Sequence, residues 1–452
     1  MSVTEQLCQI IVDVTAETLT AADLAAARRV ALDALAVALA GSREPGPRIL
    51  AERVREDGCA PACTAIGFGF RTSPYYAAYL NGDSMHVLDY EPMSFPSNHS
   101  TSPTLPGILA LAEKLKAPGR EVAAALTKGI EMQGRILFGS GESTRDPFHQ
   151  PGVVGVMGSA VAAGHMLGLD REQLRCALGL AASRAGSHYA NTGTMTKATH
   201  PALAGALGLD AALLAKRGFT ANRDIFDGRR DYEVGFFEKP IDPETLLGFG
   251  KPNRFVDPGF NIKLFPAKFA THWTITAALA VHEEVGDPAR IASVEITAAT
   301  VPIIDRPQPE TGLDGKFSYQ YTAASALVDG FVNTDTFTDE RRFRPEIDRL
   351  LANTKLNMDD SIPTSRDKLY SEVTAVLTDG TRVTRRCDKP KGHFSLPPLT
   401  REEHLVKVTD MFRVGGLDAE TMGQVIDALD RLEHLEPPEV ATLMERLGAP
   451  RN

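Results

Sequence analysis

Residues 19–41 read LTAADLAAARRVALDALAVALAG and form the clearest predicted helix in the chain. Thr20 precedes the run of helix-forming residues, Asp23 follows three positions later, and Gly41 closes the last apolar turn, so both ends of a helix are marked. Similar apolar periodicity, rich in Ala and Gly, recurs along residues 1–265. Small residues on several faces favour closely packed helices, and this part of the chain is therefore predicted to be a large helical domain.

The pattern changes between residues 266 and 395. The stretches ARIASVEITAAT and SEVTAVLTDGTRVTRRC alternate apolar and polar residues of strand-forming type, and Asp379-Gly380 lies between two such runs as a hairpin turn would. Helical periodicity returns over residues 396–452. The sequence predicts a mostly α fold with a smaller α+β lid domain at 266–395 and a helical return to the first domain.

Composition limits the classes of function. The chain has 452 residues, a formal net charge of -10 and a sequence pI near 5.6. A nucleic-acid partner is not expected, because phosphate binding needs a concentrated basic surface. Five cysteines, with Cys59 and Cys63 as the one close pair, predict neither a disulfide framework nor a metal site. The sequence shows no signal peptide and no run of roughly 18 apolar residues, so a cytoplasmic protein without a membrane span is expected.

Polar residues gather in a loop that is predicted to enter a helix at about Ser102. The stretch VLDYEPMSFPSNHSTSPTLPGILALAE places Asp89 and His99 in this loop. Backbone amide donors and the positive dipole end of a helix N-terminus can bind a carboxylate. The alternative is ordinary helix capping with His99 on the surface, and the loop alone leaves both interpretations open.

Two more predicted loop-to-helix junctions carry basic side chains. Lys197 and His200 stand in NTGTMTKATHPALAGALG immediately before a predicted helix, and His149 stands in DPFHQPGVVGVMG before a Gly-rich helix. A lysine can hold a substrate carboxylate as a point charge, and histidine is the usual general acid or base near neutral pH. A solvated lysine and a core histidine are the alternatives, but three such junctions together favour one shared pocket.

The segment NIKLFPAKFATHWTITAAL lies at the predicted domain boundary and contains Lys263, Lys268 and His272. Clefts between domains commonly bind small ligands. A structural hinge with basic residues in solvent is the alternative. The sequence contains no phosphate-binding glycine loop, no nucleophile elbow and no His-Glu-x-x-His motif.

In this order, the segments resemble the MmgE/PrpD family, and most closely its cis-aconitate decarboxylase branch. The matching segments are ARRVALDALAVALAG, LDY with HSTSPTLP, FHQPGVVGVMGSA, TMTKATH, KLFPAKFATHW, FSYQYTAASALVDG and KPKGHFSLPPLTREEHLVKV. Family members dehydrate 2-methylcitrate, decarboxylate cis-aconitate or epimerise iminodisuccinate. The resemblance implies a large helical domain made from both chain ends, a smaller α+β lid and a homodimer.

The resemblance also implies which residues form the site. The active-site positions that it implies are Asp89, His99, His149, Lys197 and Lys263. The two lysines would stabilise enolate-like charge, the two histidines would transfer protons, and the aspartate would orient a neighbour. The residues expected to bind the substrate are Lys263, Lys268, Tyr189, Met93 and His272.

Four positions depart from the decarboxylase branch. This chain has Met93, Lys268, Tyr189 and Ile303 where that branch has threonine, histidine, methionine and tyrosine. The retained residues support the reaction class, whereas the four altered positions of the predicted pocket suit a different acid.

The predicted function is a cofactor-independent lyase that acts on a small di- or tricarboxylate through a carbanion- or enolate-like intermediate, as a cis-aconitate decarboxylase-like or 2-methylcitrate dehydratase-like enzyme. One alternative is an epimerase of an iminodisuccinate-like dicarboxylate, in which Lys268 or Tyr189 supplies the second of two opposed acid/base groups. Another alternative is a non-catalytic protein that binds a polycarboxylate.

Overall fold

The computed structural model describes residues 1–142, 144–228, 231–365 and 367–449. Within these residues the chain forms nineteen α-helices, with a four-stranded sheet in its C-terminal half, and this confirms the predicted fold class. The helices are α1 (Val3–Asp13), α2 (Ala21–Gly41), α3 (Pro45–Asp57), α4 (Pro74–His86), α5 (Leu105–Leu115), α6 (Gly119–Gly139), α7 (Gln150–Met166), α8 (Arg171–Ala182), α9 (Thr196–Lys216), α10 (Tyr232–Phe236), α11 (Pro243–Leu247), α12 (His272–Val285), α13 (Gly312–Gly315), α14 (Tyr319–Asp329), α15 (Asp339–Arg342), α16 (Pro345–Ala352), α17 (Arg401–Val414), α18 (Ala419–Asp430) and α19 (Pro437–Gly448). The strands are β1 (Cys63–Ala65), β2 (Phe70–Thr72), β3 (Met93–Ser94), β4 (Phe260–Asn261), β5 (Ile291–Ala299), β6 (Thr354–Asp359), β7 (Ser371–Leu377) and β8 (Arg382–Cys387).

The helix predicted from residues 19–41 is α2. It begins with a capping box, in which the Thr20 hydroxyl accepts from the Asp23 amide and the Asp23 carboxylate accepts from the Thr20 amide. Its second half is buried all around, because α4, α17 and α18 pack against it. Helices from the two ends of the chain therefore lie side by side in one core.

Helix α9 packs against α4, α7 and α8 through glycine positions. A Cβ added at Gly208 would lie 2.4 Å from the carbonyl oxygen of Val156, and one at Gly205 would lie 2.7 Å from that of Pro103. Since real Cβ atoms do not approach backbone atoms so closely, α9 can lie this near to α7 and to the loop before α5 only with glycine at these positions.

By length and composition, α9 is also apolar enough to cross a membrane. Asp210 interrupts this segment, so it is not an unbroken run of 18 apolar residues. In the structure 67% of its most apolar window is buried inside the protein. Its apolar character follows from its place among other helices, as is usual for a core helix.

The four-stranded sheet has the strand order β6-β5-β7-β8. The predicted hairpin joins β7 to β8, and Gly380 in its turn has a φ of 86°, a conformation that glycine adopts easily. Strand β6, which the sequence pattern did not predict, pairs in parallel with β5. Helix α12 packs on β7 and β8, and α14 packs on α12.

Candidate active site

The loop between α4 and α5 supplies a large part of the site. Its β3 pairs with β4, so the loop lies beside the segment that carries Lys263. Asp89 in this loop has a φ of 49°, in the left-handed region. Helix α5 begins at Leu105 rather than at Ser102, and the Ser102 hydroxyl donates to Oε1 of Glu91 at 2.7 Å instead of capping the helix.

Asp89 is 2% exposed and lies between two lysines. Lys197 Nζ donates to Asp89 Oδ2 at 2.7 Å, and Lys263 Nζ donates to Oδ1 and to the carbonyl oxygen of the same residue. Burial alone would raise the pKa of Asp89, but the two ammonium groups outweigh burial and hold that pKa well below its usual range. Burial lowers the pKa of Lys263 to about 8, against the opposing effect of Asp89. The ionised carboxylate thus holds Lys197 in position.

Two imidazoles share one carboxylate next to this group. The Nδ1 atoms of His86 and His99 lie 2.6 and 2.9 Å from Oε1 of Glu91, and the two rings meet edge to face with centroids 4.4 Å apart. Nε2 of His86 lies 3.0 Å from Lys197 Nζ. Nε2 of His99 lies 3.4 Å from Asp89 Oδ1. Burial, and next the Lys197 charge, lower the pKa of His86 to about 3. His86 is therefore a neutral imidazole near pH 7.

A second pair of imidazoles lies nearby. His149 directly precedes α7, and its Nδ1 lies 3.1 Å from Nδ1 of His200. Burial lowers the pKa of both rings, and the Lys197 charge is the next largest cause. The pKa of His149 falls well below its usual range, and that of His200 falls to about 4. Lys268 Nζ donates to the Tyr189 hydroxyl at 2.6 Å, and the Tyr189 ring lies 5.4 Å from the His149 ring.

Lys197 and His200 lie within the first turns of α9, which begins at Thr196. The sequence pattern placed both residues in the loop before this helix, and that detail is wrong. His149, by contrast, is the residue just before its helix, as predicted.

These groups face one cavity of about 250 Å³. Side chains from the two halves of the chain meet there, and the lining includes two carboxylates, two imidazoles and two ammonium groups. The predicted site residues that line it are Asp89, Met93, His99, His149, Tyr189, Lys197 and Lys268.

Lys263 and His272 lie behind the cavity, and neither lines it in the described part of the chain. Lys263 is 0% exposed and contacts Asp89. His272 is 1% exposed, its Nε2 lies 3.3 Å from the carbonyl oxygen of Ala267, and its ring packs edge to face on Phe269. Because both are enclosed by protein, this structure lets them act on a bound molecule only through their neighbours.

Metal-ligating atoms of His86, Glu91 and His99 lie within 4.8 Å of one another. Their separations of 2.6 and 2.9 Å are those of hydrogen bonds, with each Nδ1 directed at the same carboxylate oxygen. The Lys197 ammonium lies 3.0 Å from the other nitrogen of His86. A cation at this place would have to part the hydrogen-bonded atoms and approach a like charge, so the cluster fits hydrogen bonding better.

Comparison with known proteins gives the family. Residues 5–244 match the MmgE/PrpD N-terminal domain, and residues 265–431 match the MmgE/PrpD C-terminal domain. The chain belongs to the MmgE/PrpD family. This confirms the resemblance inferred from the sequence segments.

Among curated proteins of the MmgE/PrpD type, the cis-aconitate decarboxylase of Mus musculus is 34% identical over 390 residues, which cover 82% of this chain and 78% of the relative. That of Homo sapiens is 33% identical over 399 residues, which cover 84% and 81%. The mitochondrial 2-methylcitrate dehydratase of Yarrowia lipolytica is 27% identical over 371 residues, which cover 72% and 68%.

Sequence reasoning missed several residues of this MmgE/PrpD site, among them Glu142, which lines the cavity, and three described residues that are buried and do not line it. His86 and Glu91 form the shared cluster, and Lys316 is a further buried ammonium group, with Nζ 3.4 Å from the carbonyl oxygen of Val87. The run HVLDYE contains three titratable residues around Asp89 in six positions. That crowding was a usable signal for His86 and Glu91, whereas nothing local marks Lys316.

Proposed function

We propose that this MmgE/PrpD enzyme eliminates carbon dioxide or water from a small di- or tricarboxylate without a cofactor. The observation that carries the proposal is the single cavity lined by Lys197, Lys268, His99 and His149. Ammonium groups pair with carboxylates, and imidazoles transfer protons near neutral pH. The decarboxylase and dehydratase relatives support the same class, and the chain is an enzyme of lyase type.

The same residues serve both eliminations. In a decarboxylation, the electrons of the broken carbon–carbon bond stay on the substrate carbon, carbon dioxide leaves, and a proton is delivered to that carbon. In a dehydration, a base removes a proton from carbon and an acid protonates the departing hydroxyl. Lys197 stabilises the enolate-like charge in either case, and His99 and His149 carry the proton.

Substrate binding itself prepares the imidazoles for this work. Burial and the Lys197 charge keep the pKa of His149 well below its usual range before a substrate enters. A carboxylate bound beside the ring adds negative charge and raises the pKa of the ring. A ring that is neutral in the free enzyme can then hold a proton during the reaction.

One observation favours a second candidate, an epimerase. Lys268 and Tyr189 form a hydrogen-bonded pair on the wall of the same cavity, and either can carry a proton. An epimerase removes a proton from one face of a carbon and returns it to the other, so it needs a second proton carrier.

Proton NMR in D2O with cis-aconitate, 2-methylcitrate and iminodisuccinate tests the proposal. We expect loss of carbon dioxide or water from one of the three acids. Exchange of the α-proton without loss of carbon dioxide or water would instead favour the epimerase. Tight binding of these acids without turnover would contradict both and indicate a binding protein.

A further inference from the structure

Glu91 is fully buried next to the cavity and does not belong to the described residues that line it. One of its oxygens, Oε1, lies within hydrogen-bond distance of three groups. These are Nδ1 of His86 at 2.6 Å, Nδ1 of His99 at 2.9 Å and the hydroxyl of Ser102 at 2.7 Å. A single oxygen atom therefore meets two of the imidazoles of the site.

The charge of Glu91 decides which partner donates. Burial alone would raise its pKa, but the imidazoles of His86 and His99 and their hydrogen bonds outweigh burial and hold the pKa well below its usual range. An ionised carboxylate only accepts hydrogen bonds. Both Nδ1 atoms must therefore carry the hydrogen.

The opposite nitrogens follow from this assignment. A neutral imidazole has one N–H and one lone pair, so Nε2 of His86 carries the lone pair. For His86, that lone pair accepts from Lys197 Nζ at 3.0 Å. For His99, Nε2 lies at the cavity, 3.4 Å from Asp89 Oδ1.

We propose that Glu91 is a positioning residue that fixes the proton of both imidazoles on Nδ1. Through His86 it directs the Lys197 ammonium, and through His99 it presents Nε2 to the cavity and to Asp89 Oδ1. The effect on turnover rests on the proposed function, in which His99 transfers protons, whereas the position of the protons does not.

The opposite tautomer would leave the cluster unsatisfied. With the hydrogen on Nε2, the acceptors Nδ1 and Oε1 would face each other in both rings, and the donors of His86 and Lys197 would meet at 3.0 Å. Such contacts are costly where water is excluded. The carboxylate therefore selects one of two proton arrangements.

Nitrogen NMR of the full chain labelled with 15N-histidine tests the proposal directly, because protonated and unprotonated ring nitrogens resonate far apart. His86→Asn and His99→Asn spectra assign the signals. We expect both rings in the wild type to carry the proton on Nδ1. A proton on Nε2 of either neutral ring would overturn the proposal, as would a metal ion in place of the Nδ1 protons.

Substitutions of Glu91 give the second part of the test. Glu91→Gln keeps a carbonyl acceptor, and its amide nitrogen takes the place of Oε2, which has no hydrogen-bond partner among the residues described. We expect Glu91→Gln to keep the wild-type tautomers and Glu91→Leu to lose them in at least one ring. The control Ser102→Ala removes a donor but neither imidazole contact, and should also keep them. Wild-type tautomers in Glu91→Leu would contradict the proposal, and the wild-type spectrum decides the matter should that variant not fold.

Kinetics separate the two proposals. We expect Glu91→Leu to lower kcat about a hundredfold, the lower end of what proton transfer contributes, with a much smaller change in KM. Glu91→Gln should recover most of that loss. Turnover with an unchanged kcat in Glu91→Leu would overturn the positioning role and leave the proposed function standing. If the tautomers are as expected but none of the tested acids is turned over, the proposed function falls and the assignment of the protons stands.

Discussion

Asp89 holds a backbone conformation that few side chains tolerate, and its neighbours compensate for it. Aspartate is among the residues that enter the left-handed region more readily, at a cost of about 1 kcal/mol or more. Lys263 Nζ donates to the carbonyl oxygen of Asp89, and Lys407 Nζ donates to that of Tyr90 at 2.8 Å. Two buried ammonium groups thus hold consecutive carbonyls, and the Asp89 carboxylate stays directed at Lys197.

Replacement of Lys197 or His149 by alanine should remove a group that acts on the reacting atoms. We expect kcat to fall about a hundredfold in each variant, since charge stabilisation and proton transfer each contribute at least that much. Lys216→Ala, at the exposed end of the same helix as Lys197, is the matched control and should leave kcat unchanged. Steady-state rates on the acid found by the NMR panel check this, and near-normal turnover would remove that residue from the mechanism.

At the level of single residues, the sequence predicted what local motifs mark. Asp89, His99, His149 and Lys197 stand in recognisable sequence segments, and the fold brings them to one cavity. The crowded run HVLDYE marks Glu91 as a candidate but does not show its role, because that role depends on one ring from helix α4 and one from the following loop meeting its oxygen. That meeting is a property of the fold and not of the spacing.

At the level of helices and strands, the sequence predicted those elements that neighbouring residues mark. The capping box of α2 and the Asp379-Gly380 hairpin are marked by neighbouring residues, and both were predicted correctly. Strand β6 was not, because TKLNMD contains only two apolar residues and few strand-forming ones, and its partner is the distant strand β5, where Val294 faces Thr354. Two parallel strands need a long connection between them, so no residues close to β6 in the sequence indicate its pairing with β5.

Glycine positions in two helices give opposite predictions for the same substitution. Gly208→Ala in α9 would place a Cβ 2.4 Å from the Val156 carbonyl oxygen, so we expect about 1–3 kcal/mol of lost stability. Gly423→Ala in α18 meets no atom of the described chain within 4 Å and should add up to about 1 kcal/mol, because alanine favours helix. Urea denaturation measures both. Equal shifts of the same sign would show that the close approach of α9 is incorrect.

The contact between α6 and α7 should make stability depend on pH. His165 Nδ1 lies 3.1 Å from Lys128 Nζ, and burial, and next that charge, lower the pKa of His165 from 6.5 to about 3. The unfolded chain therefore takes up a proton below about pH 6.5 that the folded chain takes up only near pH 3. The free energy of unfolding should fall by up to about 1.4 kcal/mol per pH unit within this window as the pH drops.

His165→Gln should make that decline shallower, because glutamine does not titrate. Urea denaturation at pH 7, 6 and 5 compares the slopes of variant and wild type. His434→Gln is the control, since the His434 side chain is 74% exposed, and its slope should match the wild type. A slope in His165→Gln equal to that of the wild type would refute the assignment.

On the scale of the whole molecule, the C-terminal helices complete the site from behind. Lys407 of α17 donates to Asp33 Oδ1 of α2 at 2.8 Å and to the carbonyl oxygen of Tyr90, while His404 lies 2.8 Å from Asp33 Oδ2. The sequence predicted the helical return over residues 396–452. It did not predict this ion cluster, because its members lie at opposite ends of the chain and each reads locally as an ordinary polar residue.

Removal of the Lys407 charge should therefore weaken both the fold and the site. Burial alone would raise the pKa of Asp33, but Lys407 and His404 outweigh burial and lower it, so Lys407→Met leaves a buried carboxylate with His404 as its remaining side-chain hydrogen-bond partner among the described residues. Loss of one partner of a buried ion pair costs about 3–5 kcal/mol. The Tyr90 carbonyl also loses its donor, and we expect a lower kcat because Asp89 next to it is held less firmly.

Two comparisons distinguish this effect from a general loss of charge. Lys391→Met breaks an exposed pair with Glu403 and should change stability far less, since solvent screens such pairs. Asp33→Asn combined with Lys407→Met removes the uncompensated charge and should recover part of the stability, but not the hydrogen bond to Tyr90. Urea denaturation and kcat of the four proteins separate the two roles. A Lys407→Met variant as stable as Lys391→Met would show that the two ends of the chain are not joined through this cluster.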